Sequence, residues 1–157
     1  MEYFKHRNIN IPLIGLGSWG LGENEALMES EIETGKYAII NHGMTLIDTA
    51  EMYGDGRSEK IVAKMIDGID RDKLFIVGKI LPENAQNGQY IKSCKQSLAN
   101  IGIDYFDLYL LHWKSSVNLG DMVKNMEKLK SLGLIKNWGV SNFDVTEMEE
   151  LFQIEND

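Results

Sequence analysis

The stretch that decides the fold is Leu46-Ile47-Asp48-Thr49-Ala50-Glu51-Met52-Tyr53-Gly54. It begins as a short apolar strand, ends that strand on the carboxylate of Asp48, and places a tyrosine five residues later. An apolar strand that stops on an ionisable side chain is typical of a parallel α/β protein, because functional groups gather at the carboxyl ends of parallel strands. The pattern returns twice, with a lysine ending Phe75–Lys79 and a histidine ending Tyr109–His112.

Candidate strands recur at intervals of roughly 30 residues, about the length of one βα repeat. Between them lie apolar residues at helical spacing. Regular βα repeats without a gap favour an α/β fold of the (β/α)8 TIM-barrel type, which needs eight units and typically about 250 residues. The 157 residues would therefore supply roughly the first five parallel units as a single domain, 1–157. The predicted strands are Leu13–Gly17, Thr45–Asp48, Leu74–Lys79, Asp107–His112 and Trp138–Ser141.

Other signals mark the ends of elements. Tyr3–Asn10 is expected to pair with Ile11–Pro12 as a short N-terminal β-hairpin. Gly43 stands where the first helix needs a left-handed residue after its last turn. Asp144, followed three residues later by Glu147, predicts a capping box at the start of a fifth helix. The apolar residues of that helix would be Val145, Met148, Leu151 and Phe152.

Four ionisable side chains would meet at the carboxyl edge of this sheet: Asp48, Tyr53, Lys79 and His112. A phenol becomes a useful general acid when a neighbouring ammonium group stabilises the phenolate left by proton transfer. A carboxylate paired with the ammonium keeps it charged despite burial, and an imidazole beside the phenol can hydrogen-bond a substrate oxygen. The four groups could together protonate a carbonyl oxygen while a hydride reaches its carbon, or act in reverse on an alcohol.

Each of these residues also has an ordinary structural explanation. Asp48 could cap its loop, and Tyr53 could be a packing residue. Lys79 could extend to solvent, and His112 could be a core histidine with satisfied hydrogen bonds. The coincidence of all four at strand ends favours a shared site.

A second motif, Gly15-x-Gly17-x-x-Gly20, fits the dinucleotide fingerprint by spacing. The fingerprint should open a helix at once, whereas the predicted helix begins only after Glu23-Asn24-Glu25. These glycines are instead expected to let the backbone pass close beneath a ligand.

Several motifs in collinear order resemble the aldo-keto reductases. They are Asp48-Thr49-Ala50-x-x-Tyr53-Gly54, Lys79, Leu111-His112-Trp113 and Gly139-Val140-Ser141-Asn142-Phe143, with Ile14–Gly20 similar to that family's first strand. The resemblance covers essentially the whole chain. It implies a (β/α)8 barrel that reduces aldehydes and ketones with NADPH or, less often, NADH.

The resemblance also implies roles for the matching residues. Tyr53 would donate the proton, and Lys79 and Asp48 would adjust the acidity of its phenol. His112 would orient the substrate carbonyl. Ser141 and Asn142 match residues that hold the nicotinamide carboxamide. The implied cofactor-binding residues are Gly17, Ser18, Asp48, Ser141 and Asn142, and the implied substrate-binding residues are Trp19, Tyr53, His112 and Trp113.

Two positions depart from the family's pattern. Gly78 replaces a small hydroxyl residue that is common before the lysine, and Lys114 replaces a frequent proline. The family also places most of its contacts to the cofactor phosphates on its last strands and helices, which lie beyond these residues. The preference between NADPH and NADH therefore cannot be read from the 157 residues.

Composition narrows the classes of partner. A net charge of −8 disfavours nucleic acid and anionic membranes as the main partner, because the excess of negative charge is repelled by a phosphate backbone or an anionic surface. One cysteine, Cys94, cannot form an internal disulfide, and no signal peptide is recognisable at the N-terminus, so a cytoplasmic protein is expected. No apolar run approaches a membrane span, and the cysteine and histidines lack metal-ligand spacing. The expected partner is a small carbonyl substrate.

Three functions remain open at this point. The first is a carbonyl reductase, or a large piece of one. The second is a non-catalytic module on the same scaffold that senses nicotinamide nucleotide or joins another chain. The third is an unrelated barrel enzyme that uses Lys79 as a nucleophile. With three strands missing, the isolated chain is expected to turn over little or not at all, and its exposed sheet edges could support self-association.

Overall fold

Strands and helices alternate along residues 2–6, 9–86 and 88–155, which the computed structural model describes. The strands are β1 (Tyr3–His6), β2 (Ile9–Pro12), β3 (Gly15–Gly17), β4 (Leu46–Asp48), β5 (Phe75–Ile80), β6 (Phe106–Leu111) and β7 (Ile135–Val140). The longer helices are α1 (Met28–His42), α2 (Arg57–Ile66), α3 (Gln89–Ile101), α4 (Leu119–Ser131) and α5 (Val145–Glu155).

The sheet confirms the predicted topology. β1 and β2 form an antiparallel hairpin, and the remaining strands form a five-stranded parallel sheet in the order β3-β4-β5-β6-β7. Each of these five strands is followed by a helix, which gives the five predicted βα units. Asp48 pairs with Val77 and Lys79 with Leu110, so the carboxyl ends of the strands lie along one edge.

The core lies between the sheet and the helices. Ile47, Ile76 and Phe106 on the central strands are fully buried, and α2 buries the apolar face that its spacing predicts. Cys94 on α3 is also fully buried, and this burial raises the pKa of its thiol to about 12. Within the described part of the chain, no helix has the length and apolar character that crossing a membrane requires.

Predicted and observed strand ends mostly differ by one residue, and the larger differences lie in β7, in β3 and in the N-terminal hairpin. β7 begins at Ile135 rather than Trp138, because Phe106 donates to Leu134 O at 3.0 Å and pairing with β6 starts as soon as α4 ends. The first strand of the parallel sheet is shorter than Leu13–Gly17, and Leu13 is exposed beside it. In the hairpin, Tyr3 pairs with Pro12 and His6 with Ile9, so the second strand starts two residues earlier than expected.

Both helix-end signals are confirmed, but the apolar face predicted for α5 is not fully buried. Gly43 adopts the left-handed conformation with φ 66° and ends α1 as predicted. The capping box also forms: Glu147 N donates to Asp144 Oδ1 at 2.8 Å, and Asp144 N donates to Glu147 Oε2 at 3.0 Å. The apolar face predicted for α5 is only partly buried, however, because α5 follows an edge strand. Leu151 is buried and Met148 half-buried, whereas Val145 and Phe152 are exposed.

Gly78 has a local explanation in the packing of β5 against β6. A Cβ atom at this position would lie 2.7 Å from Phe106 Cε1, closer than two carbon atoms can approach. We expect Gly78→Ser to lower the free energy of unfolding by about 1–3 kcal/mol, since the aromatic ring must move within a filled core. Urea denaturation measures the effect. Gly17→Ala is the matched control, because a Cβ there would meet no atom within 4 Å; equal stability of the two variants would contradict the explanation.

Candidate active site

Four of the predicted side chains converge at the carboxyl edge of the sheet. Asp48 is the last residue of β4, Lys79 is the second-last residue of β5, and His112 follows directly after β6. Tyr53 begins a tight turn, Tyr53–Gly56, between β4 and α2. Asp55 in this turn has φ 52°, a left-handed conformation that non-glycine residues rarely adopt. The parallel register thus brings residues that are far apart in sequence to one place.

The Lys79 ammonium group organises this cluster. Its Nζ donates to Asp48 Oδ1 at 2.5 Å, to Tyr53 OH at 3.1 Å and to Thr49 O at 3.2 Å. The residue is only 6% exposed, so the three contacts take the place of solvent around a buried cation. The ammonium group can only donate, and the phenol oxygen of Tyr53 therefore acts as acceptor. The phenol proton is left free for another partner.

His112 lies against the phenol ring. The Tyr53 and His112 rings meet edge to face with centroids 5.7 Å apart, and the centroids of the His112 and Trp113 rings are 4.8 Å apart. Burial lowers the pKa of His112, the Lys79 ammonium lowers it further, and Asp48 opposes the change in part. His112 is accordingly neutral at neutral pH. Its Nδ1 atom is buried and has no hydrogen-bond partner among the described residues.

The lowered pKa of His112 predicts a dependence of stability on pH. The unfolded chain binds a proton at His112 near pH 6.5, whereas the folded chain binds it only at lower pH. The contribution of this residue to stability is therefore complete above pH 6.5 and is lost as the pH falls through the folded pKa. We expect His112→Gln to flatten the decline in the free energy of unfolding below about pH 6.5, measured by urea denaturation at several pH values. His42→Gln, at an exposed position, is the control, and an unchanged slope in His112→Gln would contradict the prediction.

The residues predicted to bind cofactor occupy different environments. Ser141 and Asn142 follow β7; Ser141 is half-buried, and Asn142 is exposed with φ 56° and donates from Nδ2 to His112 O at 3.0 Å. Gly17 is exposed at the end of β3. The Ser18 hydroxyl, by contrast, is buried and faces α2, where Ser58 Oγ lies 2.8 Å from it. The structure does not bring this hydroxyl to the open edge.

The two tryptophans predicted to bind substrate also differ. Trp113 is half-buried beside His112, whereas Trp19 is 80% exposed on the loop after β3. Ser58 Oγ also lies 2.6 Å from Ser18 O and holds the start of that loop.

Sequence reasoning missed Ser58 and the carbonyl oxygen of Thr49. A backbone atom leaves no trace in residue identity, and a lone serine on a helix carries no signal of a partner 40 positions away.

Sequence reasoning also missed Glu51, although its position in the sequence gave a signal. Glu51 lies inside the motif that was singled out, between Asp48 and Tyr53. A carboxylate next to the apolar residues Ala50 and Met52 needs hydrogen-bond partners if its loop is buried. Among the described residues, no group of three or more histidine, cysteine, aspartate and glutamate side chains is arranged to hold a metal ion.

Known proteins resemble this chain over nearly its whole length. The model of the aldo/keto reductase family matches residues 13–156. Methylglyoxal reductase YeaE of Escherichia coli K12 is 44% identical over 147 residues, which are 94% of this chain and 51% of that protein. Glyoxal reductase of Bacillus subtilis is 33% identical over 148 residues, again 94% of this chain and 51% of that protein.

Solved structures give the same result. The aldo/keto reductase of Klebsiella pneumoniae in complex with NADP and acetate superposes with a TM-score of 0.88 at 42% identity. The match covers 92% of this chain and 50% of the Klebsiella chain. The chain thus spans about half the length of the relatives it matches. Its matched residues, its parallel sheet and its close relatives agree: the chain belongs to the aldo/keto reductase family.

Proposed function

We propose that this chain carries the catalytic half of an NADPH-dependent reductase that converts small aldehydes and ketones to alcohols. The observation that carries the proposal is the Lys79 ammonium group, which is held between the Asp48 carboxylate and the Tyr53 phenol oxygen. A buried cation beside a phenol, with a carboxylate to balance its charge, suits a tyrosine that gives up a proton.

Each of these residues has a defined task in the proposed reaction. Tyr53 donates its free phenol proton to the carbonyl oxygen of the substrate. The Lys79 ammonium stabilises the negative charge that develops on the phenol oxygen, and Asp48 keeps the ammonium in place. Neutral His112 offers the same carbonyl oxygen a hydrogen bond and fixes its orientation.

The residues at the carboxyl edge suit a nicotinamide cofactor. The Ser141 hydroxyl and the Asn142 amide supply the donors and acceptors with which a carboxamide pairs. Gly17, at the end of β3, leaves the neighbouring space open. When bound, NADPH supplies the hydride that the carbonyl carbon accepts. The complex of the Klebsiella relative with NADP supports this choice of cofactor.

Nucleotide binding tests the proposal first. We expect NADPH to quench tryptophan fluorescence saturably and the bound nucleotide to be oxidised slowly on addition of methylglyoxal, the substrate named for the Escherichia coli relative. Asn142→Gly removes the amide and retains a residue that tolerates φ 56°. We expect this change to weaken NADPH binding by about threefold to tenfold, as the loss of one or two hydrogen bonds would. A folded sample that neither binds nor oxidises NADPH would overturn the proposal for this chain.

A second candidate is a module on the same scaffold that binds nucleotide without turnover or assembles with another copy. The observation that favours it is the open sheet: in the described part of the chain, β3 and β7 each pair with one neighbouring strand only. An unpaired strand edge is a surface on which chains associate. Saturable NADPH binding without any turnover, together with a dimer in light scattering, would favour this candidate over the first.

A further inference from the structure

Glu51 directs its carboxylate away from the four clustered groups and toward the next βα unit. Its Oε1 atom accepts hydrogen bonds from Leu81 N at 2.6 Å and from Asn84 Nδ2 at 3.1 Å. Its other oxygen, Oε2, accepts from the Ser93 hydroxyl on α3. One side chain therefore joins the loop after β4 to the end of β5, to the loop that follows it and to a helix.

These contacts sit next to two residues of the candidate active site. Glu51 comes two residues before Tyr53, and Leu81 comes two residues after Lys79. The backbone adds a second connection, because Glu51 N donates to Lys79 O at 3.3 Å. The loop that carries the phenol is thus fixed to the strand that carries the ammonium group by both main chain and side chain.

The loop has a physical need for such a connection. Immediately after Tyr53, Gly54 and Asp55 both take left-handed conformations, with φ of 55° and 52°. Asp55 pays a conformational cost there that the surrounding structure must offset. A carboxylate that accepts three hydrogen bonds is a strong anchor, since bonds to a charged group exceed those between neutral partners.

We propose that Glu51 is a positioning residue that holds the Tyr53 loop against the end of β5 and so maintains the contact between the phenol and the Lys79 ammonium. Its catalytic consequence rests on the proposed function, whereas its effect on the loop does not. A residue with a purely general role in stability would loosen the whole sheet, but the contacts of Glu51 are confined to one loop and its neighbours.

Amide hydrogen exchange, followed by mass spectrometry on the full chain, distinguishes these two roles. Thr49, Glu51, Tyr53 and Asp55 all donate backbone hydrogen bonds within or from this loop. We expect Glu51→Ala to accelerate exchange in residues 49–55 by at least about tenfold and to leave β6 unchanged. Glu51→Gln is the matched control, because its amide can still accept from Leu81 N and can donate to the Ser93 hydroxyl. Its exchange should stay within about threefold of the original chain.

Uniform acceleration across the sheet, or no acceleration in residues 49–55, would overturn the inference. If Glu51→Ala does not fold, the double variant Asn84→Ala with Ser93→Ala tests the same inference, since it removes two of the three donors to Glu51. We expect it to accelerate amide exchange in residues 49–55 by at least about threefold. Where turnover is measurable, kcat for methylglyoxal should fall by about tenfold or more in Glu51→Ala while the Kd for NADPH is unchanged. Absence of both NADPH binding and turnover in every form would reject the proposed function, and the exchange rates would still decide the role of Glu51.

Discussion

Replacing Asp107 with alanine is expected to lower the free energy of unfolding by about 3–5 kcal/mol. Asp107 lies in β6 and is only 6% exposed. Its Oδ2 atom accepts from Arg71 Nη2 at 2.7 Å and from Ile76 N at 2.9 Å. Without the carboxylate, the largely buried Arg71 guanidinium would keep only the neutral acceptors Leu74 O and Tyr105 O, and the buried Ile76 N–H would lose its acceptor. A buried cation without its counter-charge costs more than the net gain from the pair.

The surroundings of this ion pair increase the loss of folding stability expected for Asp107→Ala. The Tyr105 ring contacts two cations, with the Arg71 guanidinium and the Lys136 ammonium each 4.0 Å from its centroid. Lys136 Nζ also reaches Asp107 Oδ1 at 3.3 Å. Asp107 therefore balances two positive charges that contact the same aromatic ring, at the edge of the sheet opposite the candidate active site. Its removal would leave these charges to repel each other.

Urea denaturation of three variants checks this account. Asp107→Asn keeps an acceptor for Ile76 N but loses the charge, so it should fall between the original chain and Asp107→Ala. Lys136→Ala removes a partner that is half exposed, and it should cost no more than about 1 kcal/mol. An Asp107→Ala variant within 1 kcal/mol of the original chain would show that the carbonyl oxygens of Leu74 and Tyr105, with solvent, suffice for Arg71.

This network illustrates what residue patterns could and could not predict. The order of the strands followed from the repeat interval, because each βα unit has a nearly fixed length and parallel strands with right-handed crossovers lie side by side. The partner of Asp107 could not be inferred in the same way. Arg71 is 36 positions away in a short turn before β5, and its choice of Asp107 depends on the register of two strands.

In the candidate site, too, positions in the sheet could be predicted from the sequence, whereas side-chain orientations could not. Strand-end positions identified Asp48, Lys79 and His112 as neighbours, because a parallel sheet brings all its carboxyl ends to one edge. The orientation of side chains at that edge depends on packing that has no periodic signal. Ser18 is an example: the family resemblance implied a contact with the cofactor at this residue, whereas its hydroxyl is buried against Ser58. The boundaries of β7 were missed because the polar residues Lys136 and Asn137 interrupt its apolar pattern.

Replacing Tyr53 with phenylalanine is expected to lower kcat for methylglyoxal reduction by about 10²–10⁴-fold, the range in which a positioned general acid contributes. The change removes one oxygen atom and leaves the ring, so its edge-to-face contact with His112 should persist. Lys79 would lose one of its three acceptors and keep Asp48 and Thr49 O. The protein should fold, and the Kd for NADPH should change little, because the phenol belongs to proton transfer rather than to the residues proposed to hold the nucleotide.

The measurement is NADPH oxidation at 340 nm beside fluorescence titration of the same samples. Tyr37→Phe is the matched control, since Tyr37 is exposed on α1 and its ring contacts His42 at the end of that helix, and it should turn over like the original chain. Lys79→Met separates the two parts of the mechanism: the phenol proton remains, but the charge that stabilises the phenolate is gone, so kcat should fall by about 10²–10³-fold. Equal turnover by the Tyr53→Phe variant and the original chain would assign the proton to another donor, and neutral His112, at the same edge, would be the next group to test.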